Sequence, residues 1–137
     1  MKILIAVDGS EPSLDAVSFL IGHARRYREV PQVELVTVHL PVPKVGVAKA
    51  QLEKYYEEEG QQQLAAARKK LDAAGIKYQA RILIGDVAES IVKQAGSARV
   101  DLICIGTRGM SDIGNLLVGS TATKILHLSD VPVLLVK

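Results

Sequence analysis

The chain has 137 residues, of which 17 are Lys or Arg and 15 are Asp or Glu, so its formal net charge is +2. This balance excludes the strongly basic surface of an electrostatic nucleic-acid binder. A hydrophobic fraction of 48% excludes wholesale disorder, and the single cysteine, Cys104, excludes an intramolecular disulfide.

No apolar run reaches the length of about 18 residues that a transmembrane helix needs. The first apolar run, Ile3–Val7, is too short for the apolar region of a signal peptide. We therefore expect one domain over residues 1–137, located in the cytoplasm, with neither a membrane nor a nucleic acid among its partners.

Short apolar runs of strand length alternate with longer segments of helical character. The runs are rich in Val, Ile and Leu and lie at Ile3–Val7, Val33–Leu40, Tyr78–Ile84, Val100–Ile105 and Val131–Val136. The helical segments cover Pro12 to about Arg28, about Ala48–Ala74, Val87–Ser97 and Ser120–Leu128. This alternation predicts an α/β fold in which helices cover both faces of a five-stranded parallel sheet.

Local features refine this prediction. Gly60 lies inside the second helical segment and predicts a bend there. Asp86 precedes the third helix and Glu89 follows three residues later, which is the spacing of a capping box. The polar stretch Gln51–Lys70 is interpreted as a solvated helix face, and Cys104, inside the fourth strand, is predicted to be buried and unreactive.

The carboxyl ends of two predicted strands are the first places to look for a ligand. In an open parallel sheet, ligands bind outside these ends, where the strand order reverses. The first strand lies beside the reversal point in both common five-stranded orders, and it ends at Asp8-Gly9. The fourth strand ends at Ile105, and the segment that follows it is unusually rich in glycine.

That segment has the chemistry of a phosphate site. Glycine allows backbone N–H groups to approach an oxyanion closely, and the start of a helix favours negative charge. Four glycines, at 106, 109, 114 and 119, precede a helix that opens with Ser120-Thr121, and the nearest cations are Arg108 and Lys124. The alternative is an ordinary loop in which Ser120 is the N-cap of the helix.

The spacing Gly106-x2-Gly109-x9-Gly119-Ser120 is similar to the nucleotide-binding signature of the universal stress protein family. Lys2–Ser10 resembles the first strand and turn of that family, and Gly85-Asp86 and the ending Val131–Val136 are similar to it as well. The chain thus resembles the branch of the family that keeps the glycine motif and binds ATP. The resemblance implies a Rossmann-like fold with strand order 3-2-1-4-5 and a homodimer formed through the last strand, Val133–Val136.

The same resemblance implies roles for individual residues. Those expected around the phosphates and ribose are Gly106, Arg108, Gly109, Gly119, Ser120 and Thr121. Asp8 would lie near the ribose or near a phosphate-bound Mg²⁺, although a turn or N-cap acid is the alternative. Ala6 and Val7 would line the adenine slot, the main chain of Val38 would contact the adenine edge, and Ile105 would pack on the base. His39, at the end of the second strand, is a minor candidate on the adenine side.

These implications lead to three hypotheses about function. The first is an ATP-binding stress-response regulator that acts as a nucleotide-dependent homodimeric switch, with a protein partner as a further candidate. The second is a slow ATPase or self-phosphorylating protein, for which the sequence displays no obvious general base. The third is a dimeric interaction module that binds no nucleotide.

Overall fold

A computed structural model describes residues 1–43, 45–107 and 118–137. In chain order these contain β1 Lys2–Ala6, α1 Asp15–His23, β2 Gln32–His39, α2 Lys49–Ala73, β3 Tyr78–Ile84, α3 Val87–Ser97, β4 Leu102–Gly106, α4 Ser120–Leu128 and β5 Val133–Val136. Short 3-10 helices at Pro12–Leu14 and Ala24–Arg26 flank α1.

The strands form one parallel sheet in the order β3-β2-β1-β4-β5. Ile5 of β1 pairs with Leu35 on one side and with Cys104 on the other. The chain therefore leaves β1 toward β2 and β3, and later returns to the opposite side of β1 as β4 and β5. The predicted fold class is confirmed, and the strand order reverses between β1 and β4, where ligands bind in such sheets.

The core consists of two apolar clusters, one on each face of the sheet. Ile5 and Leu35 point toward α1 and α2, whereas Leu4, Val36 and Ile103 point toward α3 and α4. Because successive residues of a strand point to opposite faces, a strand that is covered on both sides must be apolar throughout. This explains the continuous apolar runs of the central strands, including the buried thiol of Cys104, whose pKa burial raises to about 11.

Several predicted element ends are corrected by the structure. α1 is shorter than the segment from Pro12 to Arg28, because 3-10 turns replace both of its ends and Tyr27 is already extended. β4 begins at Leu102 and not at Val100, because the Val100 N–H still donates to the Ala95 carbonyl of the preceding helix.

Gly60 has a packing role in place of the expected bend. α2 continues through this residue without interruption. A Cβ at position 60 would lie only 2.5 Å from both Cδ1 and Cγ1 of Ile82 in β3. The glycine therefore allows α2 to lie directly on the sheet.

One buried charge interrupts the apolar interior. Glu34 of β2 has no exposed surface. Its carboxylate accepts hydrogen bonds from Arg81 of β3 and, at 2.9 Å, from Gln94 Nε2 of α3. Lys2 Nζ of β1 lies 3.5 Å from its other oxygen. These contacts connect three adjacent strands and one helix through a single carboxylate.

Among the helices that the structure describes, none is long and apolar enough to cross a membrane.

Candidate functional site

A cavity of about 500 Å³ lies at the carboxyl ends of β1, β2 and β4. This volume is within the usual range for small-molecule sites. Nine of the residues predicted from the sequence line it: Ala6, Val7, Asp8, Val38, Ile105, Gly106, Gly119, Ser120 and Thr121. The other two, Arg108 and Gly109, lie outside the described residues.

The wall also contains residues that sequence reasoning did not assign to the site. They are Ser13, Leu40, Gln63, Val87, Ile91, Thr107 and Ala122. Thr107 directly follows Gly106, so its position was available from the motif. Ala122 likewise follows Ser120 and Thr121 in α4. The others come from α2, α3, the 3-10 helix after β1 and the end of β2, and only the three-dimensional structure brings them to the cavity.

One end of the cavity is formed by the start of α4. Gly119 is the N-cap residue, and no side chain in the described part of the chain caps the helix. The interpretation of Ser120 as the N-cap is therefore wrong. The first intrahelical bond runs from the Thr123 N–H to the Gly119 carbonyl, which leaves the preceding N–H groups of the helix without an intrahelical acceptor. Such a helix start favours an anion.

Gly106 and Gly119, the two motif glycines that the structure describes, differ in how closely other atoms approach them. A Cβ at Gly106 would lie 2.8 Å from the Pro12 carbonyl oxygen, which belongs to the backbone and cannot easily move. A Cβ at Gly119 would meet only the Thr107 carbonyl oxygen at an ordinary 3.6 Å. The φ of Gly119 is −56°, which any residue can adopt. A close backbone contact therefore explains Gly106, whereas Gly119 has no such contact among the described residues and occupies an N-cap position, where glycine is one of the favoured residue types.

Asp8 stabilises a turn, which is the alternative role that was predicted for it from the sequence. Its Oδ1 accepts hydrogen bonds from the Ser10 backbone N–H at 2.9 Å and from the Ser10 hydroxyl at 2.5 Å. Gly9 completes the turn with a φ of +86°, a conformation that favours glycine. Asp8 also lines the cavity, and its second oxygen, Oδ2, accepts no hydrogen bond from the described residues.

The cavity wall is apolar on the side of α3 and α4 and polar on the side of α2. The apolar side is formed by Ala6, Val38, Val87, Ile91, Ile105 and Ala122. The polar side contains His39 and Gln63. The His39 ring lies 6.2 Å from that of Tyr56, and its Nε2 is buried with no hydrogen-bond partner among the described residues.

Lys124 is directed toward α3. Its Nζ lies 3.0 Å from Asp86 and 3.5 Å from Glu89. Asp86 is the N-cap of α3, as predicted, and its Oδ1 accepts the Glu89 N–H at 3.0 Å. This hydrogen bond and the Lys124 ammonium lower the pKa of Asp86 below its usual 3.8. Lys124 thus ties α4 to α3 and does not line the cavity.

Thr107 connects the cavity to the edge of the sheet. Its N–H donates to the Val136 carbonyl at 2.9 Å, and its own carbonyl accepts the Gly119 N–H at 3.4 Å. Val136 belongs to β5, a half-buried edge strand. The start of α4 and the end of β5 are therefore attached to the same residue.

Comparisons with known proteins give a consistent result. Residues 1–137 match the model of the universal stress protein family. Universal stress protein MJ0531 of Methanocaldococcus jannaschii is 36% identical over 141 residues, which cover 99% of this chain and 81% of that protein.

Two solved structures are similar as well. The structure of MJ0577, from the same organism, aligns with a TM-score of 0.84 at 29% identity and covers 99% of this chain and 94% of that one. A universal stress protein family member from Arabidopsis thaliana, crystallised with AMP bound, aligns with a TM-score of 0.74 at 18% identity, over 100% of this chain and 91% of its own. At that identity the plant structure shows a shared fold.

Proposed function

This chain belongs to the universal stress protein family, and we propose that it binds an adenine nucleotide, with ATP as the principal ligand, in the cavity at the strand ends. The observation that carries the proposal is that one cavity holds both an apolar slot and a helix start that no side chain of the described residues caps. A nucleotide has the same two chemistries at its two ends. The AMP bound to the plant relative supports an adenine nucleotide as the class of ligand.

The phosphates would lie at the start of α4. There the free backbone N–H groups and the hydroxyls of Ser120 and Thr121 offer hydrogen-bond donors to an anion. Gly119 would leave room for the phosphate to approach. Arg108 and Gly109 belong to this part of the proposal through the family motif alone.

The base would lie in the apolar slot at the other end. Ala6, Val7 and Ile105 supply apolar contact, and the backbone of Val38 supplies hydrogen-bonding groups at the end of β2. Main-chain recognition of this kind needs no particular side chain.

Asp8 would hold Mg²⁺ together with the phosphates. A single carboxylate fits this role, because Mg²⁺ in nucleotide sites is held by one or two carboxylates, by phosphate oxygens and by water. Oδ1 of Asp8 is engaged by Ser10, so Oδ2 is the candidate ligand. Among the described residues, no group of three or more His, Cys, Asp and Glu side chains is arranged to hold a metal ion without a nucleotide.

We further propose that residues 1–137 act as one nucleotide-binding domain, a cytoplasmic stress-response regulator that dimerises through β5. An apolar edge strand with unpaired backbone groups favours pairing with a second copy across a two-fold axis. Thr107 gives such a dimer a physical connection to the nucleotide, because it contacts both Gly119 and Val136. Occupancy of the cavity would then change the geometry of the dimer edge.

Hydrolysis is expected to be slow. Asp8 and His39 are the acid–base side chains that the described part of the chain contributes to the cavity wall. Asp8 is partly engaged in its turn, and His39 lies at the end of β2, away from α4. We expect turnover below about once per minute, whereas kinases reach 1–100 per second.

Native mass spectrometry of the purified protein with and without Mg-ATP tests the proposal. We expect a dimer that carries about one ATP mass per chain. Gly119→Val should lose the nucleotide, whereas Gly22→Val, at an exposed helical glycine with open space around it, should keep it. A dimer that takes up no nucleotide at millimolar ATP would show that the chain is an interaction module.

A further inference from the structure

Gln63 of α2 belongs to the cavity wall, although the sequence pattern places it on a solvated helix face. Its Oε1 accepts a hydrogen bond of 2.6 Å from the hydroxyl of Thr37, a fully buried residue of β2. The turn after β1 packs against it from the other side, since a Cβ at Gly9 would lie 3.3 Å from Gln63 Cα and Cγ. The side chain is therefore held in place by two neighbouring segments.

The Thr37 hydrogen bond determines which end of the amide remains free. With Oε1 engaged, the Nε2 amino group has two N–H donors. No acceptor for this nitrogen is found within residues 1–43, 45–107 and 118–137. Because Gln63 lines the cavity, this group is available as a fixed hydrogen-bond donor to a ligand.

The sheet order indicates which part of the ligand this donor would meet. Gln63 contacts the end of β2 and the turn after β1, whereas α4 follows β4. Neighbouring strands are about 4.8 Å apart, so the ends of β2 and β4 are separated by about 10 Å. The donor thus lies on the side of the cavity formed by β2 and the turn after β1, and not on the side of the helix start that would hold phosphate.

We propose that Gln63 donates a hydrogen bond to the nucleoside half of the bound nucleotide, and that Thr37 is the positioning residue that orients its amide. This inference rests on the proposed function. The acceptor is a ribose oxygen or a ring nitrogen of the base, since both can accept from an N–H group. Removing the donor therefore weakens binding by the same factor whatever the number of phosphates.

The test is isothermal titration of Gln63→Met with adenosine, AMP and Mg-ATP. Methionine has nearly the same length as glutamine and lacks the donor. We expect Kd to rise about 3- to 10-fold for all three ligands, which corresponds to the loss of one neutral hydrogen bond. The matched control is Gln62→Met, one residue earlier on the exposed side of α2, which should leave Kd unchanged.

Thr37→Val tests the positioning role. It should raise Kd in the wild-type background and have no further effect in the Gln63→Met background, because the amide is then absent. Adenosine analogues without the 2′- or the 3′-hydroxyl identify the acceptor. If the Gln63→Met penalty disappears with one of them, the acceptor is that hydroxyl, and if it persists with both, the acceptor is the base or another ribose oxygen.

The outcomes separate this inference from the proposed function. If the wild-type protein binds none of the three ligands, the proposed function itself fails. If it binds them and Gln63→Met binds equally well, the role of Gln63 is refuted while nucleotide binding stands. A penalty seen with Mg-ATP but not with adenosine would also refute it, since the contact would then be with phosphate.

Discussion

Gly60 offers the sharpest test of how α2 is held on the sheet. Substitution by alanine would place a Cβ 2.5 Å from two carbons of Ile82 and 2.7 Å from a third. Favourable contacts between carbons lie at about 3.5–4.0 Å, so the two elements would have to separate locally by about 1 Å. The Ile82 side chain cannot easily turn away, because its β-branched χ1 is stiff.

Two opposing terms set the size of the effect. Overpacking of this kind costs about 1–3 kcal/mol. Alanine is favoured over glycine inside a helix by about 1 kcal/mol. We therefore expect Gly60→Ala to lower the free energy of unfolding by about 0–2 kcal/mol, although the same change at an open position would raise it.

The Ile82→Ala background separates the two terms. It removes all three carbons that the new Cβ would meet, so Gly60→Ala should now stabilise by about 1 kcal/mol. The coupling in the double-mutant cycle should be about 1–3 kcal/mol, measured by urea denaturation at constant m. Gly96→Ala, at a helical glycine with no neighbour within 4 Å, is the control. If Gly60→Ala stabilised both backgrounds equally, the packing argument would be wrong.

Three further predictions concern the charge network and the site. Glu34→Ala should lower the free energy of unfolding by about 2–4 kcal/mol in urea titrations, because it leaves the cations around this buried carboxylate unpaired. Gly106→Ala should lower the free energy of unfolding by about 1–3 kcal/mol, whereas Gly119→Ala should lower it by about 1 kcal/mol or less. Gly119→Ala should nevertheless weaken nucleotide binding at least tenfold in calorimetric titrations. Equal losses of stability in the two variants would contradict the different roles assigned to these glycines. The pKa of Asp86 is lowered from 3.8 in the folded chain, so its charge stabilises the fold above that pH and ceases to do so as the pH falls through the lowered pKa. The melting temperature of Asp86→Asn should therefore lie below that of wild type at pH 7, and the difference should shrink below pH 3.8.

Short-range patterns predicted the helices, the strands and the parallel sheet well, whereas the strand order was predicted from the family resemblance. Continuous apolar runs such as the one around Ile103 require cover on both faces, and Asp86 with Glu89 marks the start of α3. The element ends were less accurate, since 3-10 turns and extended residues, as at Tyr27, depend on tertiary contacts.

The sequence pattern could not predict which side chains contact Glu34 and Gln63. Glu34 lies in a strand whose sequence is mostly apolar. The side chains that form ion pairs with it, Lys2 and Arg81, belong to strands far apart in the chain. Gln63 is one of three consecutive glutamines on α2, and the helical period alone does not show that this one meets Thr37. Such residues become visible only when the sheet order brings their neighbours together.

The motif itself combines two different constraints, and this affects how the glycines are interpreted. Gly106 is required because the Pro12 backbone passes close to it, so an interaction module that binds no nucleotide would keep this glycine. Gly119 has ordinary backbone angles and, among the described residues, room for a Cβ, so such a module could carry another N-cap residue there. A glycine at this N-cap also allows the close approach of a ligand. Gly119, and not the number of glycines in the loop, is therefore the position where a substitution best tests nucleotide binding separately from folding.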